Sequence, residues 1–159
     1  MRRRLNSDDV NLRIVYFESS ACPGNGSASA HTGNEGCDIG NVFNNLFSSG
    51  FKIYNPKIDI IGVEPPAQTR IQGLRNMEAY KPPIYDDSIL DCKLDVPDEE
   101  AFILARELYV REGLTAGISC GAALWGALRY SEMIESGNIV MIFPDRGDKY
   151  FSTELFQAP

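Results

Sequence analysis

The chain has 159 residues, 43% of them hydrophobic and 10% aromatic, a length that fits one domain with enough apolar material to bury a core. Lys and Arg total 15 against 22 Asp and Glu, a net charge of -7; with no basic stripe interleaved with aromatics, this argues against nucleic acid as a partner. No window approaches the roughly 18 consecutive apolar residues of a membrane span, so the sequence predicts a soluble protein that makes no use of the membrane.

The chain opens MRRRLNSDDVNLRIVYF. Its cationic start resembles that of a secretory signal, but the short apolar-leaning run that follows is cut by Arg13 and is no proper hydrophobic segment, so export is not expected and a cytoplasmic location is. Residues 18–50 are rich in Gly, Ser and Asn and show no sustained period of 2 or 3.6, which predicts a loop-like or poorly ordered segment. Cys22, Cys37, Cys92 and Cys120 lack the paired spacing of a zinc site or a redox C-x-x-C, so free cytosolic thiols are expected and no metal site.

From Lys52 the texture changes. Ile58 to Glu64 (IDIIGVE) is a β-branched run stopped by Pro65-Pro66, a buried strand. Pro97 at a first-turn position, then Asp98, Glu99 and Glu100, then Ala101, Phe102, Ala105, Leu108 and Tyr109 at helical spacing, mark a helix that Gly113 closes. Arg106, Glu107 and Arg111 fall on its opposite face and should be solvated. A second helix is expected from about Ala122 to Ser136 with Gly137 as its stop, followed by a buried strand from Ile139 to Phe143 that ends at Pro144. This order predicts an α/β fold with parallel pairing.

Between the two helices, Gly117-Ile118-Ser119-Cys120-Gly121 spells G-x-S-x-G, the pattern of a hydrolase nucleophile elbow. An elbow needs a strand before it and a histidine after it. Gly113 to Ala116 make a poor strand, and the chain's one histidine, His31, precedes the serine. A serine without a base has no means of activation, which leaves a serine hydrolase using Ser119 as the weakest reading. The plain structural alternative makes Ser119 a helix N-cap among small residues that let the helix start close to the sheet.

The ordered segments IIGVEPP, IQGLRNMEAYKPPIYDDSILD, EEAFILARELYVREGLTAGISCGAA and VMIFPDRGDKYFSTELF resemble the C-terminal half of the cysteine synthase family, the B-type synthases above all. The resemblance runs over about residues 52–156 and implies a pyridoxal-phosphate enzyme of the tryptophan-synthase-β (type II) fold. The implied architecture is the C-terminal part of the large domain, a partial three-layer sandwich on a mostly parallel sheet, over residues 51–159 behind an unmatched segment 1–50. It also implies roles for two residues. Ser119 falls where the family's serine hydrogen-bonds the pyridine nitrogen of the cofactor. A neutral hydroxyl there keeps the ring a moderate electron sink, which suits β-elimination and replacement. Arg75, in Gly73-Leu74-Arg75-Asn76-Met77, matches the segment that binds the substrate phosphate in synthases using O-phosphoserine, and a guanidinium suits that task through paired charge-assisted hydrogen bonds. Without the resemblance, Arg75 reads as a solvated loop residue. Cys120, beside Ser119, reads as a packing substitution, and Pro144 to Tyr150 (PDRGDKY) resembles the loop beside the cofactor ring.

The pattern also breaks. The family's catalytic lysine forms a Schiff base with the cofactor from an S-x-K-D-R-like segment, and a S/T-G-N-T-G loop holds the substrate carboxylate; the 159 residues contain neither. The first lysine is Lys52, so no catalytic residue is assigned. The nearest match to the phosphate-cradling G-T-G-G-T loop is His31 to Gly36 (HTGNEG), where Glu35 would repel a dianion and a flexible loop is the better reading. The resemblance thus implies cysteine biosynthesis by β-replacement on O-phosphoserine or O-acetylserine with a sulfur donor. This chain is expected to be a truncated member, inactive alone, that exposes surface a homodimer partner or a complementing N-terminal half would cover. A non-catalytic remnant, or one half of a split enzyme that needs an N-terminal partner, is the alternative.

Overall fold

The computed structural model describes residues 12–17, 49–71, 74–78, 81 and 85–156. His31, Glu35 and the rest of the candidate phosphate loop, together with Cys22 and Cys37, lie outside the described residues.

Four parallel strands form the sheet: β1 (Leu12–Phe17), β2 (Asp59–Glu64), β3 (Cys92–Asp95) and β4 (Asn138–Met141), in the order β3-β2-β1-β4. Ile14 of β1 stands opposite Ile60 on one side and Val140 on the other. A strand inside the sheet is therefore drawn from the N-terminal segment, ahead of the 18–50 stretch read as loop-like, at a place where the sequence suggested no element. LRIVYF has the β-branched and aromatic content of a strand, and Arg13, which breaks the apolar run, does not prevent extended backbone.

β2 behaves as a strand with neighbours on both edges should. Ile60, Ile61, Val63 and Glu64 are fully buried, and alternation sends Ile60, Gly62 and Glu64 to one face and Ile61 and Val63 to the other. Ile60 packs with Ile58, Leu90 and Phe51, the last from a helical stretch at 49–54, α1. Ile61 and Val63 pack under α2 (Asp98–Glu112) and α3 (Ile118–Ser131). Helices on both faces of a parallel sheet make the α/β arrangement anticipated from the strand and helix order, in the three layers that the family resemblance implies.

α2 begins after Pro97 with Asp98, Glu99 and Glu100 in its first turn and ends at Gly113, whose φ of 69° is the left-handed conformation that lets its N–H reach the Leu108 and Tyr109 carbonyls. Ala101, Phe102, Ala105 and Leu108 form its buried stripe, but Tyr109, expected there too, is 49% exposed and meets Phe156 edge to face. Arg106, expected to be solvated, instead donates from Nε to the Leu155 carbonyl at 2.8 Å and ties the C-terminal segment to the helix. α3 starts four positions before Ala122 and ends at Ser131, short of the expected Ser136. β4 is shorter than Ile139 to Phe143 and pairs only with β1 among the described residues. Val140 at 44% and Ile142 at 60% exposure make it an edge element and not the buried strand its apolar sequence suggested.

Candidate functional site

α3 leads directly into β4, so its C-terminus lies at the start of the parallel strands and its N-terminus at their C-terminal edge, where open α/β sheets bind ligands. Ser119 sits in the first turn there and is 4% exposed. It is not the N-cap. That position falls to Gly117, in extended conformation with no side-chain capping bond, so Ser119 keeps its hydroxyl for another partner. First-turn N–H groups carry the positive end of the helix dipole.

Four residues after β4 fix this turn. Asp145 accepts the Tyr150 hydroxyl at Oδ2 (2.6 Å), and the Cys120 thiol points at its carbonyl (3.5 Å) and at Oδ1 (3.6 Å). The Gly147 N–H donates to the Thr115 carbonyl at 3.0 Å, and Ala116 bridges Arg146 in antiparallel sense. Gly117 has no room for a side chain: a Cβ there would collide with the Asp145 carboxylate and stand 2.7 Å from Tyr150 Cε2. Burial, then the hydrogen bond and charge of Asp145, push the Tyr150 phenol well above its ordinary range. Burial pushes the Cys120 thiol up to about 11. Cys120 packs with Leu108, Ala116 and Leu124, the packing role expected of it, and is a poor nucleophile.

An elbow would require a strand leading into Ser119. Residues 113–117 make one isolated bridge and then enter the helix, so the geometry is that of a helix start and not of a nucleophile elbow. Arg75 follows β2 on a loop at the same edge of the sheet, half-buried between buried Leu74 and Met77. Asn76 donates from Nδ2 to the Pro65 carbonyl at 2.9 Å, which holds this loop to the strand end. Both assigned residues thus lie at the C-terminal edge, Ser119 on the helix over β1 and β4 and Arg75 beyond β2.

These residues fit one end of a pyridine-based cofactor. The Ser119 hydroxyl is a neutral donor and acceptor, and the nearby Asp145 carboxylate is engaged by the Tyr150 hydroxyl of its own loop and the Cys120 thiol of α3, so it does not replace the hydroxyl. Asp145 and Glu64 were not singled out by the sequence reading. The signal for Asp145 lay in PDRGDKY, and for Glu64 in a charge ending an apolar run.

A model of the pyridoxal-phosphate dependent enzymes matches residues 47–145, and the chain belongs to this family, whose cofactor is pyridoxal phosphate. Within it the chain is similar to cysteine synthases. It is 42% identical over 111 residues to the cysteine synthase of Aquifex aeolicus, covering 66% of this chain and 34% of the relative. It is 40% identical over 100 residues to cysteine synthase B of Salmonella typhimurium, covering 62% and 33%. The O-acetylserine dependent cystathionine beta-synthase of Bacillus subtilis is 35% identical over 138 residues, 80% of this chain and 44% of the relative. Among solved structures, a hydrogen sulfide-producing enzyme from Fusobacterium nucleatum superposes with a TM-score of 0.63 at 31% identity, covering 89% of this chain and 44% of that one. The matches span about a third of the length of the cysteine synthases.

Proposed function

We propose that this chain supplies the ring-nitrogen and substrate-anion side of a cysteine-forming β-replacement site. The observation that carries the reading is Ser119, a buried hydroxyl in the first turn of a helix at the C-terminal edge of a parallel sheet, inside the span that matches the family. When bound, pyridoxal phosphate supplies the electron sink that lets a β-substituent leave. Ser119 offers a neutral hydrogen bond at the ring nitrogen and leaves that nitrogen largely unprotonated. Asp145, Tyr150 and Gly117 fix the turn that presents Ser119. Arg75 clamps the phosphate of O-phosphoserine, with O-acetylserine as the alternative substrate that lacks this contact. The lysine that anchors the cofactor and takes the α-proton belongs to an S-x-K-D-R-like segment, which these 159 residues do not hold. Turnover therefore depends on a complementing segment that brings that lysine.

The test is to mix the purified chain with pyridoxal phosphate, reduce with borohydride and map pyridoxylated lysines by mass spectrometry. Scattered, substoichiometric labelling is expected, and a stoichiometric adduct on one lysine would overturn the claim that the anchoring lysine lies elsewhere. In a complemented enzyme, Arg75→Ala should harm O-phosphoserine use far more than O-acetylserine use; equal losses would sink the phosphate assignment.

A further inference from the structure

Glu64 ends β2 fully buried, at the close of an otherwise apolar run. Its Oε2 accepts Lys93 Nζ from β3 at 2.8 Å and the Met77 N–H at 3.3 Å, while Oε1 is buried with no hydrogen-bond partner among the described residues. A carboxylate held this way is a poor device for stability, because its desolvation is only partly offset. What it does hold is the loop carrying Arg75. Asn76 is tied to the Pro65 carbonyl and Met77 to the Glu64 carboxylate, so the two residues after Arg75 are both fastened to the end of β2. The front of the loop is fastened separately, by Asp98, which accepts the Thr69 hydroxyl and the Arg70 N–H, each at 2.6 Å.

We infer that Glu64, held in place by Lys93, is a positioning residue that sets the Arg75 guanidinium at the C-terminal edge of the sheet. The inference rests on Arg75 being the phosphate contact. Lys93 is suited to its part. Burial pulls its ammonium down, but the hydrogen bond and charge of Glu64, with Asp95 and Glu78 adding to them, hold it above its ordinary range. It therefore remains a cation throughout the working pH range, and Glu64 remains its partner.

Amide hydrogen exchange on the full chain tests this, together with titration by O-phosphoserine followed through backbone shifts at Arg75. Glu64→Leu with Lys93→Met replaces the pair by apolar side chains and should leave β2 amides protected. Met77 should exchange at least tenfold faster, and O-phosphoserine should bind about fivefold more weakly. Glu64→Gln, which keeps an acceptor for the Met77 N–H, should stay within about threefold of the parent in both. Unchanged Met77 exchange in the double variant overturns the inference, as does an equal loss in Glu64→Gln. If the double variant fails to fold, Lys93→Gln, at a side chain 37% exposed, decides by the same Met77 readout. Arg75→Ala reports on the phosphate reading alone: if O-phosphoserine shifts survive it, that reading falls, and Met77 exchange still decides whether Glu64 positions the loop.

Discussion

The Tyr150 hydroxyl donates to Asp145 Oδ2 at 2.6 Å, joining the turn after β4 to the start of α3 through a carboxylate that also faces the Cys120 thiol. Tyr150→Phe removes one donor and leaves Oδ2 unpaired in a half-buried site. A charge-assisted bond of this kind contributes about 1.5–3 kcal/mol. Urea unfolding of the variant should show a loss in that range with an unchanged m-value. A loss below about 0.5 kcal/mol would mean that water replaces the hydroxyl and that the turn is fixed by its other contacts.

At Gly121 the backbone of α3 lies against that of α2 with no space for a side chain. A Cβ there would collide with the Ala101 carbonyl oxygen and stand 2.7 Å from Ala105 N, and neither backbone atom can move without moving α2. Gly121→Ala should therefore cost at least about 2 kcal/mol despite its better helix propensity, the reverse of the usual sign. Gly50→Ala, at a helical position with open space around the Cβ, is the control and should be neutral or mildly stabilising in thermal melts.

Ser119→Ala separates the cofactor role from a structural one. Because Gly117 and not Ser119 is the N-cap, the variant should unfold within about 0.5 kcal/mol of the parent. Pyridoxal phosphate affinity, read by fluorescence titration of the chain with its complementing segment, should fall by roughly 2- to 10-fold, the value of one neutral hydrogen bond. A large stability loss with unchanged cofactor affinity would return Ser119 to the role of a packing residue.

Burial raises the Cys120 thiol from 9.0 to about 11, so the folded state prefers the neutral form. Its contribution to stability is whole below pH 9 and drains as the pH rises through about 11, with Tyr150 shifted in the same direction. Denaturation midpoints should thus fall steeply over that interval, and Cys120→Ala should flatten the fall while lowering stability at neutral pH. At pH 8, site-resolved alkylation should modify Cys92, which is partly exposed, and spare Cys120.

Much of this arrangement was legible in the residues. The apolar run before Pro65-Pro66, and the Pro97 and Gly113 that bracket α2, are local signals backed by tertiary packing, so the expected and observed elements agree to within a residue. α3 was misplaced because its N-cap is a glycine without a capping side chain, and the visible capping candidate, Ser119, lies inside the helix instead. β1 was missed because Arg13 and the polar flanks hide a run whose stability comes from two parallel neighbours distant in sequence. Arg106 was misjudged for a related reason, since its acceptor, the Leu155 carbonyl, is set by the path of the C-terminal segment. Glu64 and Asp145 were invisible as a pair of anchors, because one-dimensional spacing does not show that a carboxylate ending a strand meets a loop amide, or that one in a turn meets a helix start.

The placement of β1 between β2 and β4 has a consequence for how the molecule comes to exist. β1 is an inner strand, and among the described residues its second edge is filled by Asn138–Met141, far later in the sequence. Closing so long a loop is entropically costly before any contact offsets it, so the sheet should be completed late in folding. Until then β1 and β2 present an open, β-branched edge to every other nascent chain nearby. The yield of folded protein, more than its final stability, should therefore depend on chain concentration and chaperone supply during synthesis.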